Sequence, residues 1–208
     1  MLEKIHDLLC DVWQRAAMKN DRRFRGNCDF SGWMSQEEAG FTEREGNKYQ
    51  PASDKLVKVL EHFPVKVEDS ILDIGCGKGK AMYLMSRLPF GTIRGYDLSG
   101  RLVDIANDNF HRLGVGQCHA FQANAMEFDG YDDFNYFFIF NSFPQEVFEV
   151  MMGRLVESLK RKPRKCVFIY LHPVCHQYIV TQTPFRLVYK KRALTRWYDY
   201  FCYENVAE

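Results

Sequence analysis

With 208 residues, 46% of them apolar, the chain can bury one sizeable core but hardly two. Its 28 lysines and arginines nearly cancel 27 acidic residues, so no net field draws in nucleic acid or an anionic membrane, and neither is expected as a partner. Seven scattered cysteines without a C-x-x-C pair exclude a zinc knuckle or disulfide framework, and no run of eighteen apolar residues occurs; a soluble, cytoplasmic protein with reduced thiols is expected.

In chain order, Leu2, Ile5, Leu9, Val12, Trp13 and Ala16 recur at helical spacing and predict an amphipathic helix over residues 1–19. Periodicity then vanishes until residue 50, apart from a capping box at Ser35-Gln36-Glu37-Glu38. Phe30, Trp33, Phe41 and Tyr49 give that stretch enough apolar surface to read as a lid. Residues 1–50 are therefore expected to form an N-terminal helix and lid, and residues 51–208 the main domain.

From there strands and helices alternate. Helices are predicted at 53–62, 78–87, 99–113, 145–159 and near 174–180, with strands at 70–74, 92–97, 118–122, 134–140 and 166–171. Runs that are apolar throughout, such as Phe137-Phe138-Ile139-Phe140, suit a parallel sheet covered on both faces. Two closely spaced β-rich runs, 185–191 and 195–204, predict a terminal hairpin. The fold class is α/β: a doubly wound, mostly parallel, seven-stranded sheet in three α/β/α layers, closed by an antiparallel hairpin.

Asp73-x-Gly75-x-Gly77-x-Gly79 ends the first strand and opens a helix, where glycines permit a tight turn and let a ligand approach the backbone. Asp97 stands at the end of the second strand, at the spacing from which a carboxylate meets both hydroxyls of a ribose. The dinucleotide fingerprint G-x-G-x-x-G requires glycine at position 80, where the chain has Lys80, so a nicotinamide-dependent oxidoreductase is disfavoured.

This arrangement resembles motif I of the class I, Rossmann-like S-adenosylmethionine-dependent methyltransferases, and is most similar to small uncharacterised bacterial members. The resemblance implies a cofactor, S-adenosylmethionine. It assigns the methionyl end to Asp73, Gly75, Gly77 and Gly79, the ribose to Asp97, and a place beside the adenine to Leu98. Asn124 falls where the family has an acidic residue near the adenine amine, with Ala125 beside it. Lys48-Tyr49-Gln50-Pro51-Ala52-Ser53 resembles an element that lies over the cofactor through Tyr49 and Ser53, although Ser53 also suits a helix N-cap.

Ligands of open α/β sheets bind at the carboxyl ends of the strands, which places Asn141-Ser142-Phe143-Pro144 beside the acceptor. This run loosely resembles the Asn-Pro-Pro-aromatic signature of amine methyltransferases, and makes Asn141 and Phe143 candidates for catalysis, with Asn141 also touching cofactor. Equally, Asn141 can cap the following turn. His172 is a candidate base at the end of the fifth strand. His172-Pro173-Val174-Cys175-His176 tempts a metal assignment, but Pro173 disfavours helical geometry there, and no metal is expected. Lys160-Arg161-Lys162-Pro163-Arg164-Lys165 precedes the fifth strand, opposite the expected site, and reads as a solvated loop. The expected activity is methyl transfer to a small-molecule or protein amine or hydroxyl; a non-catalytic adenosyl-binding scaffold is the alternative.

Overall fold

The computed structural model describes residues 28–30, 32–193 and 196–206. The helix expected over 1–19 and the basic stretch Asp21-Arg22-Arg23-Phe24-Arg25 lie outside them. Seven strands, β1 (Ser70–Ile74), β2 (Thr92–Asp97), β3 (Cys118–Gln122), β4 (Tyr136–Phe140), β5 (Val167–Leu171), β6 (Phe185–Lys191) and β7 (Tyr200–Asn205), form one sheet in the order β3-β2-β1-β4-β5-β7-β6. The first five are parallel to one another; β7 runs antiparallel between β5 and β6.

Helices α1 (Gln36–Ala39), α2 (Lys55–Leu60), α3 (Lys80–Met85), α4 (Gly100–Leu113), α5 (Gln145–Arg161) and α6 (His176–Gln182) accompany the sheet. Alternation along the central strands feeds two cores. Phe138 and Ile169 join α2, α3 and α4 side chains such as Leu56, Met82 and Phe110. Phe137, Phe168 and Tyr170 join Phe148, Met151 and Leu155 of α5 and Ile179 of α6 on the other face. Period-two strands with both faces apolar require this double cover.

Local chemistry shifts several element bounds from those predicted: the 145–159 helix runs on to Arg161 and the 174–180 helix to Gln182, while others start later. The 78–87 helix starts at Lys80 because residues 75–79 are spent on the glycine turn. The helix expected near 174–180 starts at His176, after the left-handed His172 and Pro173. The last strand starts at Tyr200 rather than 195, since Arg196–Tyr198 coil into a 3-10 turn in which Asp199 N–H donates to Arg196 O. The capping box forms as predicted: Glu38 N–H donates to Ser35 Oγ, and Ser35 N–H to Glu38 Oε2. Among the described residues no helix is long and apolar enough to cross a membrane.

Candidate functional site

The site starts where β1 and β2 end side by side. Gly75 and Cys76 N–H both donate to Tyr96 O at 2.9 Å, which folds the chain after β1 back across β2. Gly75 and Gly77 hold φ of 73° and 53°, and a Cβ on either would strike Ser142 or the Tyr49 ring respectively. Only a bare backbone fits between these walls.

Asp97 closes the turn from the β2 side. Its Oδ2 accepts from Gly77 N–H at 2.9 Å and its Oδ1 from Ser99 N–H at 3.0 Å. Each oxygen keeps a second lone pair for a ligand. Burial raises this carboxyl to about 6, against the backbone donors of Ser99, Gly77 and Leu98. Asp73 is more extreme: at 2% exposure, burial and then the Asp97 charge push it well above the usual carboxylate range. Its Oδ2 is buried with no hydrogen-bond partner among the described residues. An orphaned buried acceptor is costly, and a ligand donor at this point would offset that cost.

Residues 28–30 and 32–50 roof this floor. Tyr49 is seated on Gly77 and donates its hydroxyl to Phe30 O at 2.9 Å, while Lys78 Nζ lies 3.0 Å from both Asp29 carboxylate oxygens. Asn109 of α4 ties roof to floor: its Oδ1 accepts from Asp29 N–H, and its Nδ2 donates to Asp29 O and Lys78 O. Across the site, Asn47 N–H donates to Ser142 O at 2.8 Å and its Nδ2 to Asn141 O at 2.7 Å. Ser142 Oγ in turn donates to Ile74 O at 2.9 Å. Between roof and floor lies an open cleft of about 600 Å³, its solvent-filled mouth included.

Tyr49, Gly75, Gly77, Asp97, Leu98, Asn124, Ala125 and Phe143 all line this cavity. Asn124 also organises its own turn, its Oδ1 accepting from Met126 N–H, which leaves the amide nitrogen for other partners. Five predicted residues are not part of that lining: Asp73 is buried at the end of β1 beside Asp97, and the other four stand elsewhere. Ser53 begins α2, its Oγ accepting from Lys55 N–H at 3.3 Å. Gly79 packs under Phe110 and Ala106 of α4. Asn141 adopts φ 41° and turns its Oδ1 toward the Tyr170 hydroxyl at 3.4 Å. His172, at φ 57°, lies on the Trp197 ring at 4.1 Å with Nδ1 3.4 Å from Arg196 O, and burial lowers its pKa. His176 Nδ1 is bound to the Tyr203 hydroxyl, and among the described residues no three His, Cys, Asp or Glu converge on a point that could hold a metal.

Sequence reasoning missed Asn47, Asn109 and the Asp29–Lys78 pair because their partners are remote along the chain. It also missed Glu45 and Gln50, which line the cavity; Gln50 Oε1 accepts from Trp197 Nε1–H at 2.8 Å. No local pattern marks such residues.

A family model described as "Methyltransferase domain" matches residues 71–162. The 27-O-demethylrifamycin SV methyltransferase of Amycolatopsis mediterranei (strain S699) is 28% identical over 97 residues, covering 46% of this chain and only 36% of that protein's length. The magnesium protoporphyrin IX methyltransferase from Synechocystis PCC 6803, solved with bound SAM, superposes with a TM-score of 0.56 at 16% identity, over 74% of this chain and 77% of its own. An RNA methyltransferase from Salinibacter ruber, in complex with S-adenosyl-L-homocysteine, gives 0.57 at 17% identity, over 76% and 95%. At these identities the likeness to solved structures is one of fold.

Proposed function

We infer that this chain is an S-adenosylmethionine-dependent methyltransferase of the Rossmann-like class, since the methyltransferase domain model spans β1 through α5 and the sheet is that of solved methyltransferases. One observation carries the choice of cofactor. Two neighbouring carboxylates are buried at the ends of β1 and β2, Asp97 lining the cavity and Asp73 beside it with an unpartnered oxygen. A pyrophosphate placed there would oppose ionisation of both carboxyls, whereas a ligand bearing positive charge and hydroxyl donors favours it.

S-adenosylmethionine meets both demands, and supplies a methyl group already activated on a sulfonium. Asp97 would accept from the ribose hydroxyls, and Asp73 with the Gly75 and Gly77 backbone would hold the methionyl end. Leu98 and Ala125 would flank the adenine, with Asn124 near its amine. Tyr49 covers the glycine turn, and Asn47 holds the roof to the end of β4, which limits water beside the acceptor. Ser142 and Phe143 then present an acceptor amine or hydroxyl, on a small molecule or a larger partner, in a fixed orientation. Because the methyl is activated, positioning supplies most of the catalysis, and a neutral amine needs no protein base.

In this reading residues 51–208 bind the cofactor and the segment before them caps it. Cys76, Cys118, Cys166, Cys175 and Cys202 are buried free thiols, which suits a reducing compartment such as the cytoplasm. Calorimetric titration of the full chain with S-adenosylhomocysteine and, separately, NAD tests the inference. Saturable binding of the thioether with no response to NAD is expected; the opposite result overturns it.

A further inference from the structure

The roof contains a loop with packing of its own. Tyr49 N–H donates to Met34 O at 3.0 Å, which closes residues 34–49 at their base, and Met34, Ala39 and Tyr49 pack together with Leu102 of α4. Arg101 Nη1 donates to Glu38 O at 3.2 Å. A loop stapled at its base and filled by its own side chains moves as a body. The roof meets the floor through two attachments of different kinds. Asp29 is tied to Lys78 and Asn109, none of which lines the cavity, whereas Asn47 and Tyr49 both line it.

Asn47 grips two successive carbonyls just past β4. Its Nδ2 donates to Asn141 O at 2.7 Å and its backbone N–H to Ser142 O at 2.8 Å. The strand does not hold these residues, because β4 ends at Phe140. Asn141 is left-handed at φ 41°, a conformation that persists only where its surroundings fix it. Its Oδ1 contact with the Tyr170 hydroxyl is the looser one, at 3.4 Å. Ser142 Oγ donates to Ile74 O at 2.9 Å, which anchors that side chain to β1 but leaves both carbonyls to the roof. Asn141 is absent from the cavity lining, yet it leads directly into Ser142 and Phe143, which belong to it. Two residues after Asn47, Tyr49 lies on Gly77 of the glycine turn. One short stretch of roof therefore touches both halves of the site.

We propose that Asn47 is a positioning residue that makes the acceptor surface conditional on the cofactor. A cofactor seated beneath Tyr49 holds the roof down, and the lowered roof, through Asn47, holds Asn141 and Ser142 in the shape that presents Ser142 and Phe143. This deepens the methyltransferase reading and rests on it. Roof and acceptor loop open and close together, so a ligand that favours the closed roof shifts both. A loop released from Asn47 no longer senses what lies under Tyr49.

NMR of the isotopically labelled full chain, titrated with S-adenosylhomocysteine, tests the proposal. With free thioether at about ten times its dissociation constant, exchange of the Asn47 and Tyr49 amides should slow together by about tenfold, and the Ser142 and Phe143 signals should resolve to one conformer. Asn47→Asp and Asn47→Ala both remove the side-chain donor. In each, exchange at Tyr49 should slow by the same factor, while Ser142 and Phe143 stay averaged over several conformers. Asn109→Ala loosens the other attachment and should leave the response of Ser142 and Phe143 as in the wild type. An equal response in the wild type and both Asn47 variants would overturn the proposal, as would slowing at Tyr49 without slowing at Asn47. Loss of the loop response in Asn109→Ala as well, or loss of the slowing at Tyr49 in both Asn47 variants, would reduce Asn47 to a stabilising contact and overturn it too. Failure of the wild type to bind the thioether would instead sink the reading on which the proposal rests.

Discussion

Asp97→Asn is the most informative single change, because it removes the charge of the group that closes the glycine turn while keeping its shape. Burial raises the Asp97 carboxyl from its ordinary 3.8 to about 6, which costs the ionised form ~3 kcal/mol in the ligand-free fold. The folded pKa exceeds the unfolded one, so the native state holds the proton more tightly. Stability attached to this group is fully present below about pH 4 and is lost as pH rises through about 6, with no further change above. The variant has no proton to lose there. Burial raises Asp73 in both proteins, and Asp97→Asn removes only the smaller part owed to the Asp97 charge. Urea unfolding followed by tryptophan fluorescence across this range should show the wild type losing ~3 kcal/mol relative to Asp97→Asn between about pH 4 and 6. A difference that stays constant within about 0.5 kcal/mol across that window would refute the account of a strained, buried carboxylate.

Other outcomes follow from the same geometry. Asp97→Ala should weaken S-adenosylhomocysteine binding by ~1.5–3 kcal/mol in calorimetry, the range for hydrogen bonds to a charged group; an unchanged dissociation constant would show that Asp97 is not the ribose ligand. Gly77→Ala should destabilise by ~2–4 kcal/mol, since alanine is strained at φ 53° and its Cβ strikes Tyr49. Adding Tyr49→Ala should cost less than the sum of the two, because the clash but not the strain is relieved, and strict additivity would contradict this. Asn109→Ala removes the bonds to Asp29 and Lys78 and should cost ~1–3 kcal/mol, with faster amide exchange at Asp29 as its signature. Arg161→Ala, on a solvent-exposed cluster with Asp129 and Asp132, should change stability by less than ~1 kcal/mol despite its several close contacts.

Burying Asp73 and Asp97 together is costly, and on the proposed reading the cofactor offsets that cost. In the ligand-free fold both carboxyls are pushed toward protonation. A ligand bearing positive charge and hydroxyl donors reverses that tendency. Cofactor affinity should therefore fall as pH drops through about 6, in the same window in which the ligand-free fold gains stability.

The sequence alone determined what depends on short-range pattern. Short apolar runs gave the bounds of β1, β2 and β3, the glycine spacing placed the turn after β1, and the position of Asp97 relative to it put a carboxylate against the Gly77 N–H. These features are legible because each is set by residues close in the chain. Tertiary structure decided the rest. Asn141 and His172 sit at the strand ends where they were expected, yet left-handed backbones turn Asn141 toward Tyr170 and His172 toward Trp197. The roof exists only through partners such as Asn47 with Asn141, or Asp29 with Asn109 and Lys78, which no local periodicity relates. The basic run at 160–165 became readable only beside what it faces: the fold sets Arg161 against Asp129 and Asp132 and Lys162 against Asp133, partners no local pattern relates to it.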